Sequence, residues 1–301
     1  MPSNKVFTGA VLVGLGAASY GMLATFVKLA YASTGITGKY FSPAEVISAQ
    51  FIIGIISMVV LNILSKYRYP QNIRASRKEI MQLLLTGTST GLTSIFYYLS
   101  VRYIPVSIAI VLLMQTVWMG VLLEMIIDKK IPSLKKSIAL IFVLIGTCFA
   151  TNAITDNSLP DWRGLILGLL AAASFTTTMY TANKIALQVS AAQRSLFMLL
   201  GGGVMVFIFC LLTLQLPFNI DILWKWGILL ALFGTVLPPL LLNAGFPKTG
   251  IGLGSIISSL ELPVSVCMAF IFLHEQVVPI QWIGIGCIVG AIILMNLPHK
   301  N

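Results

Sequence analysis

The chain has 301 residues, 57% of them hydrophobic and 9% charged, with a formal net charge of +10. Soluble proteins carry about 25% charged residues, so this chain cannot cover a water-facing fold of its length. Composition therefore places it in a membrane, and its basic excess is read as membrane topology, with no nucleic-acid partner.

A helical span needs about 20 mostly apolar residues. Ten stretches qualify: 6–30, 43–64, 79–101, 104–127, 134–152, 162–184, 191–214, 222–245, 249–273 and 279–297. They are too long for membrane β-strands, which take about 9–11 residues. The first lacks the short apolar core and cleavage site of a signal peptide and is read as a span. The fold class predicted is an all-α membrane protein of ten transmembrane helices.

Side chains three, four and seven apart share a helix face, and each span is read on that basis. Span 1 offers Gly16, Ser19 and Tyr20 and ends near Lys28. Span 2 opens with SPAEV (42–46) and carries Gln50. Span 3, from TGTSTGLTSIFYYLS (86–100), has the most polar stripe: Thr86, Thr90, Ser94 and Tyr97, with Arg102 beyond it. Span 4 groups Leu112, Gln115, Met119 and Leu122, with Trp118 at the edge. Glu124 points half a turn away and is read as interfacial. Span 5 carries Gly146, and span 6 carries Thr177, Thr178, Tyr180 and a terminal Lys184. Span 7 opens with SAAQR (190–194) and holds Gly201, Gly202 and Gly203, either a flexible point or a tight crossing. Span 8 has Asn243 and a helix break expected at Pro238 and Pro239. Span 9 groups Gly254, Ser258, Glu261, Ser265 and Met268, with Pro263 as a kink and Glu275 closing it. The G-x-x-x-G pairs at 87–91, 164–168, 250–254 and 286–290 are expected to allow close helix approach.

Charge gives the orientation. With the N-terminus inside, only Lys28, Lys39, Arg102, Arg163 and Lys225 of the 19 basic residues fall outside. The positive-inside rule then places both termini in the cytoplasm. The 5–6 loop, with Asp156 and Asp161, faces out. Cys148, Cys210, Cys267 and Cys287 all lie within spans, without metal-type spacing, and read as small core hydrophobes. His274 and His299 sit at span ends, and no nucleophile–base pair, metal cluster or phosphate loop is present in the sequence. No enzyme, metal or cofactor is therefore expected.

The two halves resemble each other. GLGAASYGMLATFVKLA (14–30) matches GLLAAASFTTTMYTANKIA (168–186), and SPAEV matches SAAQR. Spans 4 and 9 align at an offset of 146, which sets Gln115 against Glu261, and spans 5 and 10 carry Gly146 and Gly290 at matching depth. Five spans per half is an odd number, so the second copy enters the membrane inverted. The predicted units are 1–152 and 162–298. Inverted repeats place a substrate site near the midplane where the halves meet.

Glu261 is the sharpest feature. A charged side chain at the bilayer centre costs about 2.5–3.5 kcal/mol on insertion scales, so it must face protein or water. Two readings stand. It exchanges a proton or holds a substrate amine, or it is a protonated cap on a backbone carbonyl that Pro263 leaves unbonded. The expected pathway comprises Glu261, Ser258, Gln115, Trp118, Ser19, Tyr20, Gln50, Thr90, Ser94, Tyr97, Thr178, Tyr180 and Asn243, with Pro238, Pro239 and Pro263 as hinges. Taken one at a time, the serines and threonines read equally as interhelical packing groups.

The segment ISSLELPVSVCMAFIFLHEQVVPIQWIGIGCIVGAIIL (257–294) resembles the second-half signature of the drug/metabolite transporter superfamily, EamA type. Glu261, Pro263, Glu275, Gly286 and Gly290 carry the match, whereas Gln115-Thr116-Val117 departs from the family's acidic-proline element in the first half. The resemblance implies a bacterial inner-membrane carrier of small polar metabolites, commonly amino acids or analogues, often exported and often exchanged for protons. Sugar-phosphate or nucleotide-sugar antiport is the alternative within the superfamily, and a passive facilitator or channel is the alternative outside it. Expected partners are the small-molecule substrate, membrane lipid, protons and, if not a monomer, a second copy in a homodimer.

Overall fold

The computed structural model describes residues 2–36, 38–68, 73–104, 106–129, 131–151, 161–213, 218–274 and 276–296. The helices in chain order are α1 (Pro2–Ala32), α2 (Pro43–Arg68), α3 (Arg77–Tyr103), α4 (Val106–Leu113), α5 (Thr116–Asp128), α6 (Leu134–Ala150), α7 (Trp162–Lys184), α8 (Ala191–Thr213), α9 (Ile228–Ala231), α10 (Leu237–Thr249), α11 (Ile251–Ser258), α12 (Glu261–Phe272) and α13 (Pro279–Asn296). Two π-helical turns, Leu223–Gly227 and Leu232–Val236, flank α9. Glu275, His299 and the Asp156 loop lie outside the described residues.

Seven stretches among the described residues are long and apolar enough to cross a membrane: 5–32, 43–68, 108–128, 162–184, 191–213, 223–249 and 251–272. The other three predicted spans are also helical but differ for physical reasons. The threonine and serine stripe of α3 makes it too polar, and α6 (17 residues) and α13 are short.

Caps set several helix starts. Ser42 and Glu45 form a reciprocal box at α2, and Ser76 and Glu79 form one at α3. Ser133 and Asp161 accept the first free amides of α6 and α7. Between α10 and α11 a single residue turns the chain, Gly250 at φ +79°, where a side chain would be strained.

Close backbone approach holds the bundle together. Gly87 and Gly91 of α3 lie against Met198 and Gly202 of α8, while Gly201 abuts Leu84. The triple glycine is thus a tight crossing. The pair 286–290 behaves otherwise: a Cβ on Gly286 or Gly290 would meet nothing within 4 Å among the described residues. The α6–α13 contact runs instead through Gly146 and Gly284, where a Cβ on Gly146 would lie 2.8 Å from the Gly284 carbonyl. This corrects the close approach expected of the 286–290 pair.

Pro238 and Pro239 do not break span 8. They occupy the first turn of α10, where a proline's missing N–H matters least. The preceding π-helical turn takes up the mismatch and bends Val236 to φ −107°, ψ −69°. Span 9 is interrupted at Ser259–Leu260, and Pro263 is the third residue of the new helix, α12. Span 4 is interrupted in the same way at Met114–Gln115, without a proline.

Candidate functional site

The two interruptions carry the same pair of three-residue hydrogen bonds. In span 4, Gln115 N donates to Leu112 O and Val117 N to Met114 O; in span 9, Leu260 N donates to Ile257 O and Leu262 N to Ser259 O. The register of these bonds is 145, which sets Thr116, not Gln115, against Glu261. Gln115 has a local task. Its Nε2 donates to Val111 O at 2.9 Å, and its Oε1 accepts the Trp118 indole N–H at 2.8 Å. The side chain thus serves a carbonyl that the break leaves short of a donor.

Glu261 opens α12 and is half-buried, within electrostatic reach of the phenols of Tyr20 on α1 and Tyr97 on α3. The two rods meet where Gly21 of α1 packs on the Glu261 carbonyl, with Val264 Cβ 2.9 Å from where a Cβ would stand. Thr116, the counterpart of Glu261, shares a hydrogen bond of 2.8 Å with Thr176 of α7. Tyr97 also lies edge-on to Tyr98, at 6.2 Å between centroids, and Tyr98 to Tyr31.

A narrow cavity of about 20 Å³, room for about one water, lies beside this centre and is lined by both halves. Of the predicted pathway residues, Tyr20, Thr90, Thr178 and Asn243 line it, together with the predicted hinge Pro239. Ser195 and Phe175 complete its polar and aromatic walls. Two buried polar atoms here have no partner among the described residues: Thr90 Oγ1 and Asn243 Oδ1. Thr178 shares a 2.8 Å bond with Ser89, and the Tyr20 ring meets Phe175 edge-on at 5.9 Å.

The remaining predicted residues are placed apart from the cavity lining. Ser258 donates to Gly254 O (2.9 Å), Ser19 to Leu15 O (2.8 Å) and Ser94 to Thr90 O (3.4 Å), each one turn back on its own helix. Gln50 is buried where α2 meets Gly234 of the second π-helical turn, and its carbonyl accepts from Thr235 Oγ1 at 3.1 Å. Tyr180 is half-buried on α7. Glu124 pairs with Lys136 against Gly252 at the start of α11, and Lys184 with Asp128 at 3.7 Å.

One central residue was missed. Arg194 is 2% exposed, and no carboxylate pairs with it among the described residues. Its Nη1 donates to Asn243 O at 2.8 Å; its Nη2 donates to Thr181 O at 3.2 Å and to Ala182 O. Asn243 Nδ2 in turn donates to Ser195 Oγ (2.9 Å), and Asn183 Nδ2 to Phe246 O (2.6 Å). The signal was in the sequence. Pro247 stands four residues after Asn243 and cannot offer the N–H that its carbonyl needs. Arg194 supplies it, and at the same time caps the carbonyls closing α7, where the helix dipole favours a cation.

Among the described residues no group of His, Cys, Asp or Glu could hold a metal ion.

Comparison with known proteins gives this geometry its setting. The chain is 24% identical over 234 residues to the threonine/homoserine exporter RhtA of Escherichia coli (strain K12), covering 76% of this chain and 75% of the relative. The same figures hold for RhtA of Escherichia coli O157:H7. A solved crystal structure at 14% sequence identity superposes with a TM-score of 0.75, covering 95% of this chain and 96% of that one, which shows a shared fold. The family model described as the EamA-like transporter family matches twice, over residues 7–152 and 162–297. The chain is therefore an integral membrane transporter of the EamA-like family, within the drug/metabolite transporter superfamily.

Proposed function

We propose that this protein is a secondary active exporter of a small polar metabolite, an amino acid or analogue. It has ten spans in two inverted five-helix repeats, 1–152 and 162–298, and works by alternating access with proton exchange at Glu261. Its termini lie in the cytoplasm, a placement that the distribution of lysine and arginine supports.

The observation that carries the reading is that the packing partners stay the same when the halves are exchanged. Spans 3 and 6 pack together (α3 on α7), as do their counterparts, spans 8 and 1 (α10 on α1). Spans 4 and 6 pack (α4 and α5 on α7), as do spans 9 and 1 (α11 and α12 on α1). The self-matched pairs, spans 2 and 7, 4 and 9, and 5 and 10, face each other directly (α2 on α8, α5 on α11, α6 on α13). A five-helix unit with an odd number of crossings, repeated by such an exchange, supports an inverted pair that can rock about a central site.

The polar groups of the centre favour a small zwitterion or polyol. Glu261 offers a carboxyl group, while Thr90 and Asn243 offer unpartnered oxygens among the described residues. Threonine and homoserine, named for RhtA, are the first probes, followed by other amino acids, nucleosides and sugar phosphates in a thermal-shift screen of the purified protein. In proteoliposomes an imposed pH difference should then drive the stabilising compound against its gradient. Glu261→Gln should abolish that pH-driven accumulation while leaving exchange of labelled for unlabelled compound. Undiminished, still pH-dependent accumulation in the variant means the carboxyl is a structural cap. Flux that never exceeds equilibration means a passive facilitator.

A further inference from the structure

The same latch is built on both ends of the bundle, from different chemistry. At the end where α1 finishes and α2 begins, Glu45 uses one carboxylate oxygen for its own cap, accepting from Ser42 N (2.7 Å) and Ser42 Oγ (2.9 Å). The other oxygen reaches across the bundle and accepts Asn219 N at 2.9 Å, in the segment entering span 8. Nearby, Asp221 accepts Ile36 N at 2.5 Å, Lys225 donates to Thr34 O at 3.1 Å, and Trp226 to Ser33 Oγ at 2.7 Å. Both acids are nearly buried, Glu45 at 7% and Asp221 at 6% exposure.

At the opposite end stands the counterpart. Gln193 N donates to its cap, Ser190 Oγ, at 3.3 Å, as Glu45 N does to Ser42 Oγ at 3.3 Å. The Gln193 side-chain oxygen accepts Ala75 N at 3.2 Å, in the segment entering span 3. The two latches therefore close equivalent seams, α2 to span 8 and α8 to span 3, on opposite faces. One is held by a carboxylate and the other by a neutral amide. A hydrogen bond to an ionised acceptor is about twice as strong as a neutral one.

We propose that Glu45 is the holding group of a gate on the face carrying the turn after α1, that Gln193 holds the opposing gate, and that their unequal strength makes the first gate the closed one at rest. The proposal rests on the alternating-access reading above and on its orientation, which makes the Glu45 gate the outer one. In a rocking pair of repeats the two gates compete, so weakening either favours opening on its own side. Neither residue touches the cavity: they act by deciding which face opens.

The chain carries its own reporter. Cys210 of α8 lies one turn beneath the Glu45 latch, with Sγ 2.9 Å from Ser48 Oγ and 3.7 Å from Ala44 O, and is buried. With Cys148, Cys267 and Cys287 replaced by serine, a membrane-impermeant maleimide applied from one side reads the opening of this seam in proteoliposomes. Glu45→Gln should speed labelling of Cys210 from the outer side about five- to tenfold, the change expected when a charge-assisted bond becomes a neutral one. Asp221→Asn should act in the same direction, and Gln193→Ala should slow labelling. Unchanged rates in the first two variants, or acceleration by Gln193→Ala, overturn the gate while coupled flux keeps the alternating-access reading intact. Cys210 labelled equally from both sides in the wild-type background overturns that reading itself, and the gate with it.

Discussion

Arg194→Met is the substitution whose cost can be worked from contacts. The methionine keeps much of the side-chain volume but removes every donor. Thr181 O keeps its bond from Ile185 N at 3.0 Å. Two carbonyls are left bare: Ala182 O in the closing turn of α7, and Asn243 O, whose helical donor would have been Pro247. A buried acceptor left unmade costs about 1–3 kcal/mol. Losing an acid-free guanidinium from the interior returns part of that, so a net loss of about 2–4 kcal/mol is expected. Pro247→Ala sharpens the test because it restores an N–H to Asn243 O. In that background Arg194→Met should cost about 1–2 kcal/mol less. The measurement is a double-mutant cycle on purified protein in detergent, followed by tryptophan fluorescence through equilibrium unfolding. A single-variant change under about 0.5 kcal/mol, or strict additivity between the two substitutions, refutes the assignment of Arg194 as the donor that Pro247 withholds.

Other outcomes follow from the packing. Gly146→Val should destabilise the protein by about 1–3 kcal/mol by overpacking, since its Cβ would lie 2.8–3.0 Å from Gly284, Ile288 and Cys287. Gly286→Val should leave the unfolding midpoint unchanged, because a Cβ there would meet no other helix within 4 Å among the described residues. Equal effects from the two would mean that the 286–290 pair packs internally after all. Gly21→Val should force α1 away from α12 where it meets Glu261 and Val264. Substrate flux in proteoliposomes should fall sharply with little change in expression, and wild-type flux would refute the contact. Lys136→Met leaves Glu124 alone against the start of α11. It should lower the unfolding midpoint by less than Arg194→Met does, because both partners of this pair remain partly exposed.

How much of the site could be read in the chain differs residue by residue. Tyr20, Thr90, Thr178 and Asn243 line one cavity, and helical periodicity sets the face each presents before any partner is chosen. Ser19, Ser94 and Ser258 had the same periodicity, yet each bonds the preceding turn of its own helix. A hydroxyl's choice between its own backbone and a neighbour is decided by which helix lies opposite, and that is a tertiary fact. Gln115 was aligned with Glu261 by similarity alone; the hydrogen bonds at the two interruptions moved the match to Thr116.

The sequence by itself determined that the chain lives in a membrane and that it is helical, because those properties follow from composition and from a period of 3.6. Its acid in span 9 was equally plain. Tertiary structure alone decided which glycines touch, that Arg194 answers for Pro247, and that Glu45 and Gln193 close opposite seams. Each of these joins residues at least 49 positions apart. No local pattern encodes such a meeting, because it depends on how whole helices settle against one another once every buried donor and acceptor must find a partner.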